Sequence, residues 1–169
     1  AVSTPTKTVY LAQKAVVRIT DTLTIPAGVT LTTWHEDNTP PFTPDRYALM
    51  GRLVRAAGDP FISPTVVLKT CGTLQGTWVD GQLMQLGPRE DKEAGASNVV
   101  IWDFSTLPQC QTRLVDNRLT DPLGWTQVQA LGIAETAQPC GDVYIGRNLL
   151  TGYANKHWQY DSEVADGLS

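Results

Sequence analysis

The sequence predicts an all-β fold, a right-handed parallel β-helix of short stacked strands. Three observations carry that expectation. Apolar residues alternate with Thr and other polar residues over short runs, without a sustained helical stripe. The 14 Gly and 11 Pro, with frequent Asn and Asp, turn the chain so often that no candidate strand exceeds about eight residues. Segments that begin with cysteine return at irregular intervals, Cys71-Gly72-Thr73-Leu74, Cys110-Gln111-Thr112-Arg113 and Cys140-Gly141-Asp142-Val143, as a solenoid with insertions between its strands permits.

Residues 6–20 hold β-forming side chains but no helical period. Leu23 and Ile25 then alternate with Thr, Pro26-Ala27-Gly28 turns the chain, and Val29 and Leu31 resume the alternation. Two short strands therefore meet at a tight corner, which lacks the Asn-Gly or Asp-Gly pair that favours a two-residue hairpin. Residues 34–46 are polar, and Pro40, Pro41 and Pro44 oppose a regular ladder, so this stretch is an excursion from the scaffold. Residues 45–57 fit two patterns. Tyr47, Met50, Val54 and Ala57 have helical spacing after Pro44, whereas Leu49, Leu53 and Arg55 support a strand.

Strand signals return at 66–70 and 73–81. Residues 85–97 are charged and Gly-rich and form a second excursion. Further strands are expected at 98–104, 113–115, 125–130 and 143–145, with Leu149-Leu150 close behind. One coil of such strands cannot bury its apolar side chains alone. Coils stacked about 4.8 Å apart pool them in a common column and satisfy each other's backbone groups.

Composition bounds the function. With 41% hydrophobic and 18% charged residues, positions 1–169 suffice for one folded domain. Seventeen acidic residues against thirteen basic ones, with no Lys/Arg tract, provide no footprint for nucleic acid. No apolar run approaches the roughly 20 residues of a membrane span. Ala1-Val2-Ser3-Thr4-Pro5 has no leader character, and a processed secretory chain would read the same way. Cys71, Cys110 and Cys140 lack the close spacing of a zinc or redox motif. One disulfide with a thiol left over, three buried thiols, or a partner cysteine elsewhere all fit that count.

The segment Asp21-Thr22-Leu23-Thr24-Ile25-Pro26-Ala27-Gly28-Val29-Thr30-Leu31 resembles the opening coil of pectate-lyase-like proteins. Leu74-Gln75-Gly76-Thr77-Trp78-Val79-Asp80-Gly81 is similar to a coil of that superfamily, and so is the stretch from Cys140 to Gly152. Asp166-Gly167-Leu168-Ser169 resembles the start of one more coil, so the chain reads as an incomplete or N-terminal portion of a longer or cleaved β-helix. The remainder, or a polar loop, would cover the open end. The resemblance implies a secreted protein that binds or cleaves a cell-wall or capsular polysaccharide along its stacked strands, as a hydrolase or a lyase. The polygalacturonase signatures Asn-Thr-Asp, Asp-Asp, Gly-His-Gly and Arg-Ile-Lys are missing, as is the strongly basic groove of the lyases.

Four carboxylates are candidates for catalysis. Asp80 and Asp103 sit near Trp78 and Trp102, aromatic residues able to stack on sugars, and two carboxyl groups about 5 to 9.5 Å apart can hydrolyse a glycoside. The bland alternative is a turn at Asp80-Gly81 and a strand end at Asp103. Asp116 and Asp121 share seven residues with Asn117 and Arg118, a cluster able to hold calcium or neutralise a uronate; Asx turns and a surface ion pair explain the same letters. Arg118 and Arg147 join Trp78 and Trp102 as candidate ligand contacts. His35 and His157 lack the partners of a zinc site, and neither a nucleotide fingerprint nor a nucleophile elbow is present. No metal or cofactor is expected. The competing expectation is a non-catalytic adhesin or an assembly module of a viral tail or cell surface, whose loops recognise and whose coils give rigidity.

Overall fold

A computed structural model of the chain describes residues 7–33, 44–56, 64–82, 97–102, 110–122, 127–131 and 142–152. The first coil contains β1 (Lys7–Leu11), β2 (Val16–Ile19) and β3 (Leu23–Ile25). The second contains β4 (Val29–Thr33), β5 (Gly51–Arg55) and β6 (Val66–Lys69), and the third β7 (Thr73–Gln75), β8 (Thr77–Asp80) and β9 (Val99–Trp102). The fourth contains β10 (Gln111–Val115), β11 (Arg118–Thr120) and β12 (Val128–Leu131), and β13 (Asp142–Gly146) and β14 (Leu149–Thr151) begin a fifth. Each strand pairs in parallel with the strand three places along the chain. The result is three parallel sheets: sheet A (β1-β4-β7-β10-β13), sheet B (β2-β5-β8-β11-β14) and sheet C (β3-β6-β9-β12). This is a β-helix-like stack.

Strand alternation sends every second side chain inward, and register aligns those side chains from coil to coil. Sheet A supplies the column Val9, Leu31, Leu74, Leu114 and Ile145. Sheet B supplies Val17, Leu53, Val79, Leu119 and Leu150. Sheet C adds Leu23, Val66, Val99 and Val128, with Ile25, Leu68 and Ile101 beside them. The middle members of these columns are fully buried in one continuous core.

The corners are built by backbone conformation and amides. Gly76, Asp116 and Arg147 follow paired residues of β7, β10 and β13 and hold the same left-handed corner, with φ of 57°, 57° and 54°. Asn117 and Asn148 come next in the two later coils. Asn117 Oδ1 accepts from Thr77 N at 3.0 Å, while its amide donates to Leu74 O and to Asn148 Oδ1, each at 3.0 Å. Asn148 donates in turn to Leu114 O at 2.9 Å. In the second coil Thr33 does comparable work: its hydroxyl donates to Gly76 O at 2.6 Å and accepts from Gly51 N at 2.9 Å. Buried corner groups are thus paired between coils.

Several expectations are refined here. Residues 45–57 contain both alternatives, a 3-10 helix at Pro44–Leu49 and then strand β5, because Gly51 starts a run whose Leu53 must face the column. The first excursion thus ends in that 3-10 helix, while 34–43 lie outside the described residues, as does the second excursion apart from Ser97. Strand β11 was hidden in the polar cluster 115–121, since Leu119 is its one inward residue and a single apolar side chain makes no visible alternation. Cys71 and Cys110 form a disulfide with Cα atoms 5.3 Å apart, which joins the starts of the third and fourth coils. Cys140 and 153–169 lie outside the described residues.

Candidate functional site

The outer face of sheet B and the corner after it gather four of the sequence candidates, Trp78, Asp80, Arg118 and Asp121. Register places Arg52, Trp78 and Arg118 side by side on β5, β8 and β11. Their side chains stack. The Arg52 guanidinium carbon lies 4.2 Å and that of Arg118 4.1 Å from the centre of the Trp78 ring. Since β5 and β11 flank β8 on opposite sides, the two cations occupy the two faces of the indole. Trp78 Nε1 donates to Thr120 Oγ1 at 2.8 Å, which fixes the ring further. Trp78 therefore has no free face for a sugar, and its contribution to a ligand would come from the ring edge and the neighbouring guanidinium groups.

Asp80 lies two positions from Trp78 and points to the same side of β8. It is only 2% exposed. The Arg52 guanidinium donates to Asp80 Oδ2, and Gln82 N donates to Asp80 Oδ1 at 2.9 Å. This carboxylate is buried with its charge compensated, as burial requires.

Asp121 occupies the next corner. Because Thr120 pairs with Asp80 and with Thr151, Asp121 aligns with Gly81 on one side and Gly152 on the other. A Cβ at Gly152 would run into the Asp121 carboxylate, and one at Gly81 would meet Asp121 O, with Asn98 Oδ1 at 2.7 Å. Glycine on the neighbouring coils thus makes room for this aspartate. Its own φ of 48° lies in the left-handed region that Asp tolerates. Burial, and then the negative charge of Asp80, push the Asp121 carboxyl up from its ordinary value, while Arg52 and Arg118 pull the other way. A proton is held more tightly here than on a surface aspartate.

The other candidates are distributed differently. Asp116 and Asp121 lie at opposite ends of β11, so the carboxylates of the 115–121 cluster do not converge on an ion. Asp116 is 1% exposed and is engaged by Arg147, whose Nε and Nη2 donate to its two oxygens at 2.6 and 2.7 Å. That hydrogen-bonded charge pushes the Arg147 guanidinium further up. The pair bridges the fourth coil and the fifth at the left-handed corner they share. Trp102 belongs to β9 of sheet C, where it pairs with Lys69 and Leu131, so it does not share a sheet with Trp78 as one sugar track would need. Asp103 lies outside the described residues.

Sequence reasoning overlooked Arg52 and Thr120. Arg52 sat in the segment of ambiguous period, and its proximity to Trp78 and Asp80 follows from a register that sequence spacing does not encode. No group of three or more His, Cys, Asp or Glu side chains gathers among the described residues. No helix among them is long and apolar enough to cross a membrane. No protein-family model matches the chain, nor does any curated protein or solved structure.

Proposed function

We propose that the protein is a secreted, right-handed, pectate-lyase-like β-helix that engages and cleaves a polysaccharide at the outer face of sheet B. The disulfide favours an oxidising compartment. The observation that carries the reading is a pair of carboxyl groups on adjacent coils with divergent surroundings. Asp80 is held by a guanidinium and a backbone amide, and burial with the nearby negative charge pushes the Asp121 carboxyl up from its ordinary value. Two carboxyl groups in such different surroundings can supply a general acid and its partner for glycosidic chemistry. In this reading Asp121 protonates the leaving oxygen as the glycosidic bond breaks, a water molecule adds to the anomeric carbon and gives its proton to Asp80, and Arg118 contacts the saccharide.

The test is product release over a broad panel of acidic and neutral glycans, followed both as new reducing ends and as the ultraviolet absorbance of unsaturated sugar ends. Reducing ends without that absorbance mark hydrolysis. Asp121→Asn is expected to lower the rate by about 10²- to 10⁴-fold, the usual contribution of a general acid. Full activity in that variant removes Asp121 from the chemistry, and a wild-type protein that releases nothing across the panel overturns the enzymatic reading.

A further inference from the structure

The sequence holds two Asp-Pro pairs, Asp59-Pro60 and Asp121-Pro122. Such a bond is open to attack from within, because the aspartate carboxyl reaches its own main-chain carbonyl and the prolyl nitrogen, a tertiary amide, accepts a proton readily. At Asp121 the fold adds three features. Proline pushes the residue before it toward extended backbone, at φ of about −120°, yet Asp121 has a φ of 48°. That conformation is strained for a residue with a side chain, and breaking the bond to Pro122 relieves it. Neighbouring coils hold the strained peptide in place. Asp121 N donates to Thr151 O at 3.1 Å, and Thr120 O accepts from Gly81 N at 3.0 Å and from Asn98 Nδ2 at 2.8 Å. A Cβ at Gly81 would lie 2.9 Å from Pro122 Cα, so the Asp121–Pro122 peptide rests on that glycine. Finally, no described residue donates a hydrogen bond to the Asp121 side chain, whereas Asp80 and Asp116 are both bonded. Burial and the charge of Asp80 favour its protonated form against Arg52 and Arg118, while Gly81, Asn98, Thr151 and Gly152 beside it carry no charge.

We propose that the chain cleaves itself between Asp121 and Pro122, with the Asp121 side chain as the nucleophile toward its own main-chain carbonyl. This goes beyond the polysaccharide reading and does not depend on it. A carboxyl oxygen of Asp121 adds to the main-chain carbonyl carbon while the carboxyl proton passes to the Pro122 nitrogen. The C–N bond breaks, Pro122 departs as a secondary amine, and residue 121 is left as a five-membered cyclic anhydride. Water opens the anhydride, so one piece ends at Asp121 and the other begins at Pro122. The nucleophile brings its own proton. A carboxyl that stays protonated above the ordinary range therefore moves a reaction otherwise confined to strong acid toward neutral pH. Held position and stored strain act in the same direction. The cut falls between β11 and β12, and the pieces stay together because β12, β13 and β14 remain paired with β9, β10 and β11.

The test needs no saccharide. The intact chain is incubated over a pH series in which its circular dichroism spectrum stays native, and its mass is then followed under reducing, denaturing conditions. The expected result is a single cut, Asp121–Pro122, whose rate falls as pH rises through the raised Asp121 value. Asp59-Pro60, the same pair elsewhere in the sequence, is the internal reference. Unfolding the wild type in urea at the same pH should slow the cut at Asp121 by about 10²-fold, to the rate at Asp59, because position and strain are lost together. Pro122→Ala keeps the carboxyl and makes the leaving nitrogen that of a secondary amide, and Asp121→Asn removes the carboxyl. Each should stop the cut. A folded wild type that stays whole at every pH overturns the proposal. So does equal cleavage at the two Asp-Pro pairs in the folded protein, or a Pro122→Ala variant cut after Asp121 at the wild-type rate.

Discussion

Asp121 shows how one side chain can depend on its neighbours' lack of side chains. Gly152 leaves room for its carboxylate and Gly81 for its backbone carbonyl, and the left-handed backbone at 121 re-aims the side chain at a corner where Asp80 is also close. Its carboxyl titrates above the ordinary value when folded, so the native state binds a proton more tightly than the unfolded chain does. Stability therefore falls as pH rises from the ordinary carboxylate range through the raised value. Asp121→Asn keeps the shape, tolerates the same backbone and removes the titration. The melting temperature of the variant should stay flat across that window while the wild type declines, as thermal circular dichroism at a series of pH values would show. Parallel curves would mean that the carboxyl is not perturbed.

The corner between sheets A and B depends on a ladder of amides. Asn117 is fully buried and serves Thr77 N, Leu74 O and Asn148 at once. Asn117→Ala leaves buried backbone groups without partners, each costing about 1–3 kcal/mol, and the urea midpoint should fall accordingly. Asn148→Ala, at a less buried level, should cost less. Equal losses would contradict the ladder. This corner also marks how far sequence could be read. Short strands, the turn at Pro26-Ala27-Gly28 and the recurrence at Cys71 and Cys110 were legible because alternation and turn chemistry are local. The Asn117–Asn148 contact, the burial of Asp116 by Arg147 and the stacking of Arg52 on Trp78 were not, since each joins residues about one coil apart and coil length varies with the excursions. The carboxylates at 80 and 121 were singled out separately, and only register brought them to one corner.

At the scale of the molecule, stability is spread along the stack, with each coil contacting its neighbours alone. The cost of a cavity should follow position in a column. Leu114→Ala, fully buried between Leu74 and Ile145, should lose about 2–5 kcal/mol, whereas Leu150→Ala on the half-buried last coil should lose clearly less. Chemical denaturation compares the two directly, and equal costs would refute a nearest-neighbour stack. Coils three and four are in addition joined twice, by the peptide chain and by sulfur. A protease that cuts anywhere between Cys71 and Cys110 therefore opens a ring instead of dividing a thread, and the nicked protein keeps its mass until a reductant releases the two pieces.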